Sequence, residues 1–140
     1  QMQPLREILL IDDSESDNFI HSRVIKKAGV TAKTTIKYSG EEGLEYLKTL
    51  INEDYPRPDL IFLDINMPGM DGFEFLEHYE HLEDSQKAHV VIAMLTTSTS
   101  PVDRDKANKY DLLQHFDNKP LTEESLMKVL RKQFPGRFDD

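Results

Sequence analysis

Three carboxylates, a hydroxyl and an amine sit at the ends of apolar runs in this sequence, and together they could do chemistry. Asp12 and Asp13 follow the run 8–11, Asp64 follows 60–63, Thr96 follows 90–95, and Lys119 closes the weaker run 112–118. Three ionised carboxylates in one pocket repel one another, and a divalent cation relieves that repulsion. Oxygen donors with no cysteine or histidine among them favour Mg²⁺, with Mn²⁺ possible, over zinc. A carboxylate can also act as a nucleophile toward a phosphoryl group. An amine, a hydroxyl and the metal would then stabilise charge on the transferring oxygens.

This chemistry requires residues far apart in sequence to meet, so the elements that carry them must converge. Continuous apolar runs read as strands buried on both faces. The stretch 58–72 organises the rest. Its run 60–63 ends in Asp64 and passes into turn chemistry, Pro68-Gly69 and Asp71-Gly72, before a helix begins. In a parallel sheet all strand ends of one kind share an edge, and in open α/β sheets ligands bind outside the carboxyl ends. Asp12, Asp13, Asp64, Thr96 and Lys119 are therefore expected on one rim.

The remaining elements follow in order. Ser14 or Ser16 caps a helix whose apolar residues are Phe19, Ile20, Val24, Ile25 and Ala28, with Gly29 as its stop. Residues 31–38 read as a second strand. Ser39-Gly40-Glu41-Glu42 has capping-box spacing and opens a helix with Leu44, Leu47, Leu50 and Ile51 inward. Phe73, Phe75, Leu76 and Tyr79 mark a third helix, closed by the polar segment 81–87. Residues 89–95 form the fourth strand. Pro101, preceded by Ser100, starts a helix to about residue 110 with few apolar residues, hence loosely held. The last helix, capped near Thr122, carries Leu126, Val129 and Leu130. Residues 135–140 read as a tail. The five histidines show no ligand spacing and read as surface or half-buried. Strand–helix alternation five times over implies a parallel α/β sheet with right-handed crossovers.

Composition limits the possibilities. A chain of 140 residues is one domain by size. A net charge of −9 argues against sequence-independent binding to nucleic acid or anionic membrane. The chain has no cysteine, hence no disulfide framework. No apolar run approaches the roughly 18 residues that would span a bilayer, and nothing resembles a signal peptide, so a cytoplasmic location is the default.

The sequence resembles the receiver domain of two-component response regulators over nearly its whole length. Four blocks in order carry the likeness: Ile11-Asp12-Asp13-Ser14, residues 63–72 around Asp64, Leu95-Thr96-Thr97-Ser98, and Lys119-Pro120. The resemblance implies a flavodoxin-like (βα)5 three-layer sandwich with strand order 2-1-3-4-5. It implies a receiver domain over 5–134 with no output domain. It makes Asp64 the phosphoacceptor, supplied by a sensor histidine kinase or histidine phosphotransfer protein. Asp13 would be a direct Mg²⁺ ligand, Asp12 partly a water-mediated one, and the Asn66 backbone carbonyl another. Lys119 would hold a phosphoryl oxygen and Thr96 would be the switch hydroxyl. Phe116 would be the aromatic switch, while Asn66 and Ser98 would tune phosphoryl lifetime. The face of the fourth helix, fifth strand and fifth helix would bind a downstream protein, and the first helix, through Phe19 and Ile20, a kinase. Such a protein is a signalling phosphoacceptor, not a dedicated turnover enzyme. The chain departs from the pattern at residues 109–113, where the family usually has a small residue and glycine, and at Asp117 and Asn118. Two rival readings are an adaptor of the same fold that never carries phosphate and an aspartyl-nucleophile phosphatase of the haloacid-dehalogenase kind. The second would want an acid where Asn66 stands, and the intact acid set with Lys119 argues against the first.

Overall fold

The computed structural model describes residues 3–87 and 90–138. Eleven elements follow in order: β1 (Leu5–Ile11), α1 (Glu15–Ala28), β2 (Thr31–Lys37), α2 (Gly40–Leu47), β3 (Leu60–Leu63), α3 (Gly72–Glu80), α4 (Asp84–Lys87), β4 (Val91–Thr96), α5 (Pro101–Ala107), β5 (Leu113–Asn118) and α6 (Glu123–Gln133). The strands form one sheet of order β2-β1-β3-β4-β5, and every pairing is parallel. This is the flavodoxin-like arrangement that the resemblance implied.

Strand parity explains the three layers. Side chains alternate faces along a strand. Leu9, Ile11, Ile61, Leu63, Ile92 and Met94 meet Leu44 and Leu47 of α2, Phe73, Phe75, Leu76 and Tyr79 of α3, and Ala107 of α5. Their neighbours Ile8, Leu10, Leu60, Phe62, Ala93 and Leu95 meet Ile25 of α1 and Leu126, Val129 and Leu130 of α6. Each such fully buried aliphatic side chain contributes about 1.5–3 kcal/mol. Both faces of the central strands are thereby committed to packing, so only the strand ends are left for chemistry.

Several expectations are corrected. On α1 the inward residues are Asn18, His21, Ser22 and Ile25, whereas Phe19 and Ile20 are 60% and 47% exposed. The first turn of α1 faces the polar rim, so hydrogen-bonding groups turn inward there; His21 is buried, not superficial. α2 ends at Leu47, and Leu50 and Ile51 are exposed instead of inward. The cause is a tight turn in which Asn52 and Glu53 take positive φ and Ile51 bridges back to Asp54. The polar segment after α3 contains the single-turn α4, so the predicted fourth and fifth helices are α5 and α6. α5 stops at Ala107, its only buried residue. His89, expected to open the fourth strand, lies outside the described residues, and β4 begins at Val91. After α6 the chain folds back: Phe138 is buried in the core face shared with α1 and α6, and Gln3 N–H donates to the Arg137 carbonyl at 2.9 Å.

Candidate functional site

The sheet ladder continues one residue past the strands and fixes the rim. Asp12 N–H donates to the Lys37 carbonyl (3.1 Å), Asp64 N–H to Ile11 (3.0 Å), and Lys119 N–H to Thr96 (2.8 Å). These bonds hold four chemical positions at one edge before any side chain is considered. Carboxylate oxygens of Asp12, Asp13 and Asp64 lie within 4.8 Å of one another. Asp12 and Asp64 are buried, while Asp13 is exposed.

Lys119 ties the carboxylates together. Its Nζ stands 2.6 Å from Asp12 Oδ2, 2.9 Å from Asp17 Oδ2 and 3.4 Å from Asp64 Oδ1. The other oxygen of Asp12 accepts the Ser14 N–H at 2.9 Å, and the Asn18 amide donates to the Asp12 carbonyl at 2.8 Å. Burial and the Asp12 charge push the Asp64 carboxyl up to about 6, although Lys119 opposes them. Burial works against the Lys119 charge, but its bonds to Asp12 and Asp17 outweigh it and raise the amine above its usual range. The hydrogen bond from Lys119 holds the Asp17 carboxyl below the usual carboxylate range. One ammonium thus leaves Asp64 short of positive charge. That deficit, with an all-oxygen donor set, fits a hard divalent cation such as Mg²⁺.

The loop after β3 is held against Asp64. Gly72 N–H donates to the Ile65 carbonyl at 2.8 Å, and a Cβ on Gly72 would stand 2.4 Å from the Asp64 carbonyl oxygen. Only glycine allows this approach. Asp71 then caps α3 through a full capping box with Glu74. Asn66 lies in this loop with an exposed side chain.

Thr96 is fully buried at the end of β4. Its Oγ1 accepts the Ser98 N–H at 3.0 Å, which uses a lone pair and keeps the hydroxyl hydrogen for another acceptor. Ser98 Oγ is 2.6 Å from Asp103 Oδ2, and the Asn118 amide donates to the Ser98 carbonyl at 3.1 Å. The β4–α5 loop is therefore pinned from both α5 and β5. Phe116 is half-buried, with the Arg104 guanidinium 4.7 Å from its ring centroid.

The structure brings Asp12, Asp13, Asp64 and Lys119 together, with Thr96 bonded through its carbonyl to the Lys119 backbone. Sequence reasoning missed Asp17 and the part played by Asn118. An acidic residue in the first turn of α1, one helical turn beyond the cap Ser14, was a readable signal for Asp17. Asn118 was read only as a departure, because nothing in the linear pattern indicates a side chain reaching across to a neighbouring loop.

Known proteins resemble the chain over most of its length. A family model described as the response regulator receiver domain matches residues 8–131. Response regulator Rcp1 of Synechocystis sp. is 32% identical over 137 residues, which cover 97% of this chain and 88% of that protein. Sporulation initiation phosphotransferase F of Bacillus subtilis is 26% identical over 130 residues, covering 92% and 94%. The crystal structure of a two-component response regulator from Cytophaga hutchinsonii superposes with a TM-score of 0.82 at 28% identity, covering 94% of this chain and 98% of that one.

Proposed function

The chain belongs to the response regulator receiver family of two-component signalling, and on that premise we propose that it accepts a phosphoryl group on the Asp64 carboxylate. The observation that carries this reading is the convergence of Asp12, Asp13 and Asp64 within 4.8 Å, with Lys119 Nζ in contact with Asp12 and Asp64. A sensor histidine kinase or histidine phosphotransfer protein would be the donor. An Asp64 carboxylate oxygen attacks phosphorus, the P–N bond to the donor histidine breaks, and that imidazole takes up a proton.

The chain's own residues would do the following. Asp12, Asp13 and Asp64, with the Asn66 carbonyl, would hold Mg²⁺; once bound, it offsets the carboxylate charge and the charge on the transferring oxygens. Lys119 gives an N–H to a phosphoryl oxygen. Thr96 gives its hydroxyl hydrogen to another, and the Ser98 loop moves with it. Phe116 follows by leaving Arg104. Asn66 and Ser98, at the mouth, tune how readily water reaches the acyl phosphate. The α5–β5–α6 face would then present itself to a downstream protein, while exposed Phe19 and Ile20 on α1 would meet the donor. The receiver domain expected over 5–134 extends in this reading to Phe138, which packs in its core, and works in the cytoplasm, where a kinase supplies the phosphoryl group.

Incubation with acetyl phosphate and Mg²⁺ tests the proposal. The intact mass should rise by one phosphoryl group in the wild type and stay unchanged in Asp64→Asn. No gain and no Mg²⁺ binding would favour a phosphate-free adaptor, and turnover of many phosphate esters would favour a phosphatase.

A further inference from the structure

An ammonium group has three N–H donors, and at Lys119 three carboxylates claim them: Asp12 at 2.6 Å, Asp17 at 2.9 Å and Asp64 at 3.4 Å. The acceptor aspartate is the most distant of the three. Asp12 belongs to the oxygen cluster that suits a cation, so a bound ion would draw its charge away from the lysine. Asp17 does not: among the described residues that cluster consists of Asp12, Asp13 and Asp64. Asp17 stands instead on the first turn of α1, its N–H donating to Ser14 Oγ at 3.1 Å, where the helix N-terminus favours a negative charge. Its side chain is 34% exposed and is placed by the helix, not by the pocket. The pull of Asp17 on Lys119 therefore persists whatever happens at the cation cluster.

Resting on the receiver reading above, we propose that Asp17 is a positioning residue that competes with the phosphoryl group for Lys119 and so lowers the affinity of the site for phosphoryl-type anions. A phosphoryl oxygen on Asp64 needs one of the lysine N–H donors and as much of its charge as remains uncompensated. Asp17 draws the ammonium toward α1 and neutralises part of it. Asparagine at this position keeps an oxygen acceptor and removes the charge, leaving Lys119 to the phosphoryl oxygen. Through the same bond, a shift of Lys119 toward the acyl phosphate is felt directly at the start of α1.

The test is a ¹⁹F NMR titration of the full chain with beryllofluoride at saturating Mg²⁺, with Mg²⁺ affinity measured separately without the anion. Asp17→Asn should bind beryllofluoride about two- to tenfold more tightly than wild type, and the difference should shrink as salt is added. Its Mg²⁺ affinity should not rise. Asp17→Glu, which restores the charge, should move back toward wild type, and Asp17→Ser provides a second neutral variant if asparagine impairs folding. Equal or weaker beryllofluoride affinity in the neutral variants overturns the proposal, as does a parallel change in Mg²⁺ affinity, which would mean general loosening. If the wild type takes up no beryllofluoride at all, the receiver reading falls and this inference with it.

Discussion

Burial and the Asp12 charge hold the Asp64 carboxyl at about 6, above its usual 3.8. A raised carboxyl pKa means that the folded state binds the proton more tightly than the unfolded state. The penalty from Asp64 is therefore absent below about pH 4, grows as pH rises, and is complete above about pH 6. Asp64→Asn should stabilise the metal-free protein by about 2–3 kcal/mol at pH 7 and by little at pH 4, measured by urea unfolding at the two pH values. Lys119→Ala should do the opposite. It leaves Asp12, Asp17 and Asp64 without their shared cation and should cost roughly 3–5 kcal/mol. The same variant should slow labelling by acetyl phosphate about tenfold or more, since a charge-assisted bond contributes about 1.5–3 kcal/mol. At this scale the acid–lysine set was legible because each member ends an apolar run. Asp17 was marked only as an acid in the first turn of α1; its bond to Lys119 depends on where a helix side chain reaches, and no strand end marks that.

At the scale of elements, the loop from β3 to α3 and the loop from β4 to α5 carry opposite demands. The first must be fixed. Gly72→Ala would drive a Cβ to 2.4 Å from the Asp64 carbonyl and should destabilise the protein by about 1–3 kcal/mol, with weaker Mg²⁺ binding, both readable by thermal unfolding with and without the ion. The second would have to move in the proposed switch, and its restraints are polar: Ser98 on Asp103, Asn118 on the Ser98 carbonyl, and Arg104 over Phe116. Arg104→Ala should free the Phe116 ring and raise the fraction of protein in the switched form, seen as a Phe116 ring-proton shift before any phosphomimic is added. The buried strands and the α3 and α6 faces could be read from apolar spacing. α1 and α2 were misassigned in part for a common reason. Periodicity assumes that apolar side chains seek the core, whereas the start of α1 packs on a polar rim and the turn at Asn52-Glu53 carries Leu50 and Ile51 away from it.

For the whole molecule, the balance of energies limits what a phosphoryl group can do alone. A bond to Lys119 contributes about 1.5–3 kcal/mol and one to Thr96 about 0.5–1.5, whereas moving a population from about 1:99 to 99:1 takes about 5.5. Phosphorylation should therefore bias the α5–β5–α6 face, and a partner that prefers the active form should complete the change. NMR of beryllofluoride-loaded protein without a partner is expected to show both forms of the β4–α5 region; a complete shift would contradict this. Parallel pairing and rim placement were foreseeable because strand–helix alternation leaves few arrangements, and the strand order was implied by the family resemblance, while the pinned loop and the folded-back Phe138 depend on tertiary contacts that no local pattern encodes. The central claim is that the phosphoryl group is carried by one oxygen of one side chain. Protein labelled by acetyl phosphate, reduced with borohydride and mapped by peptide mass spectrometry should contain homoserine at position 64 and nowhere else. Homoserine at position 12 or 13, or an acid-stable phosphate on Thr96 or Ser98, would contradict the account.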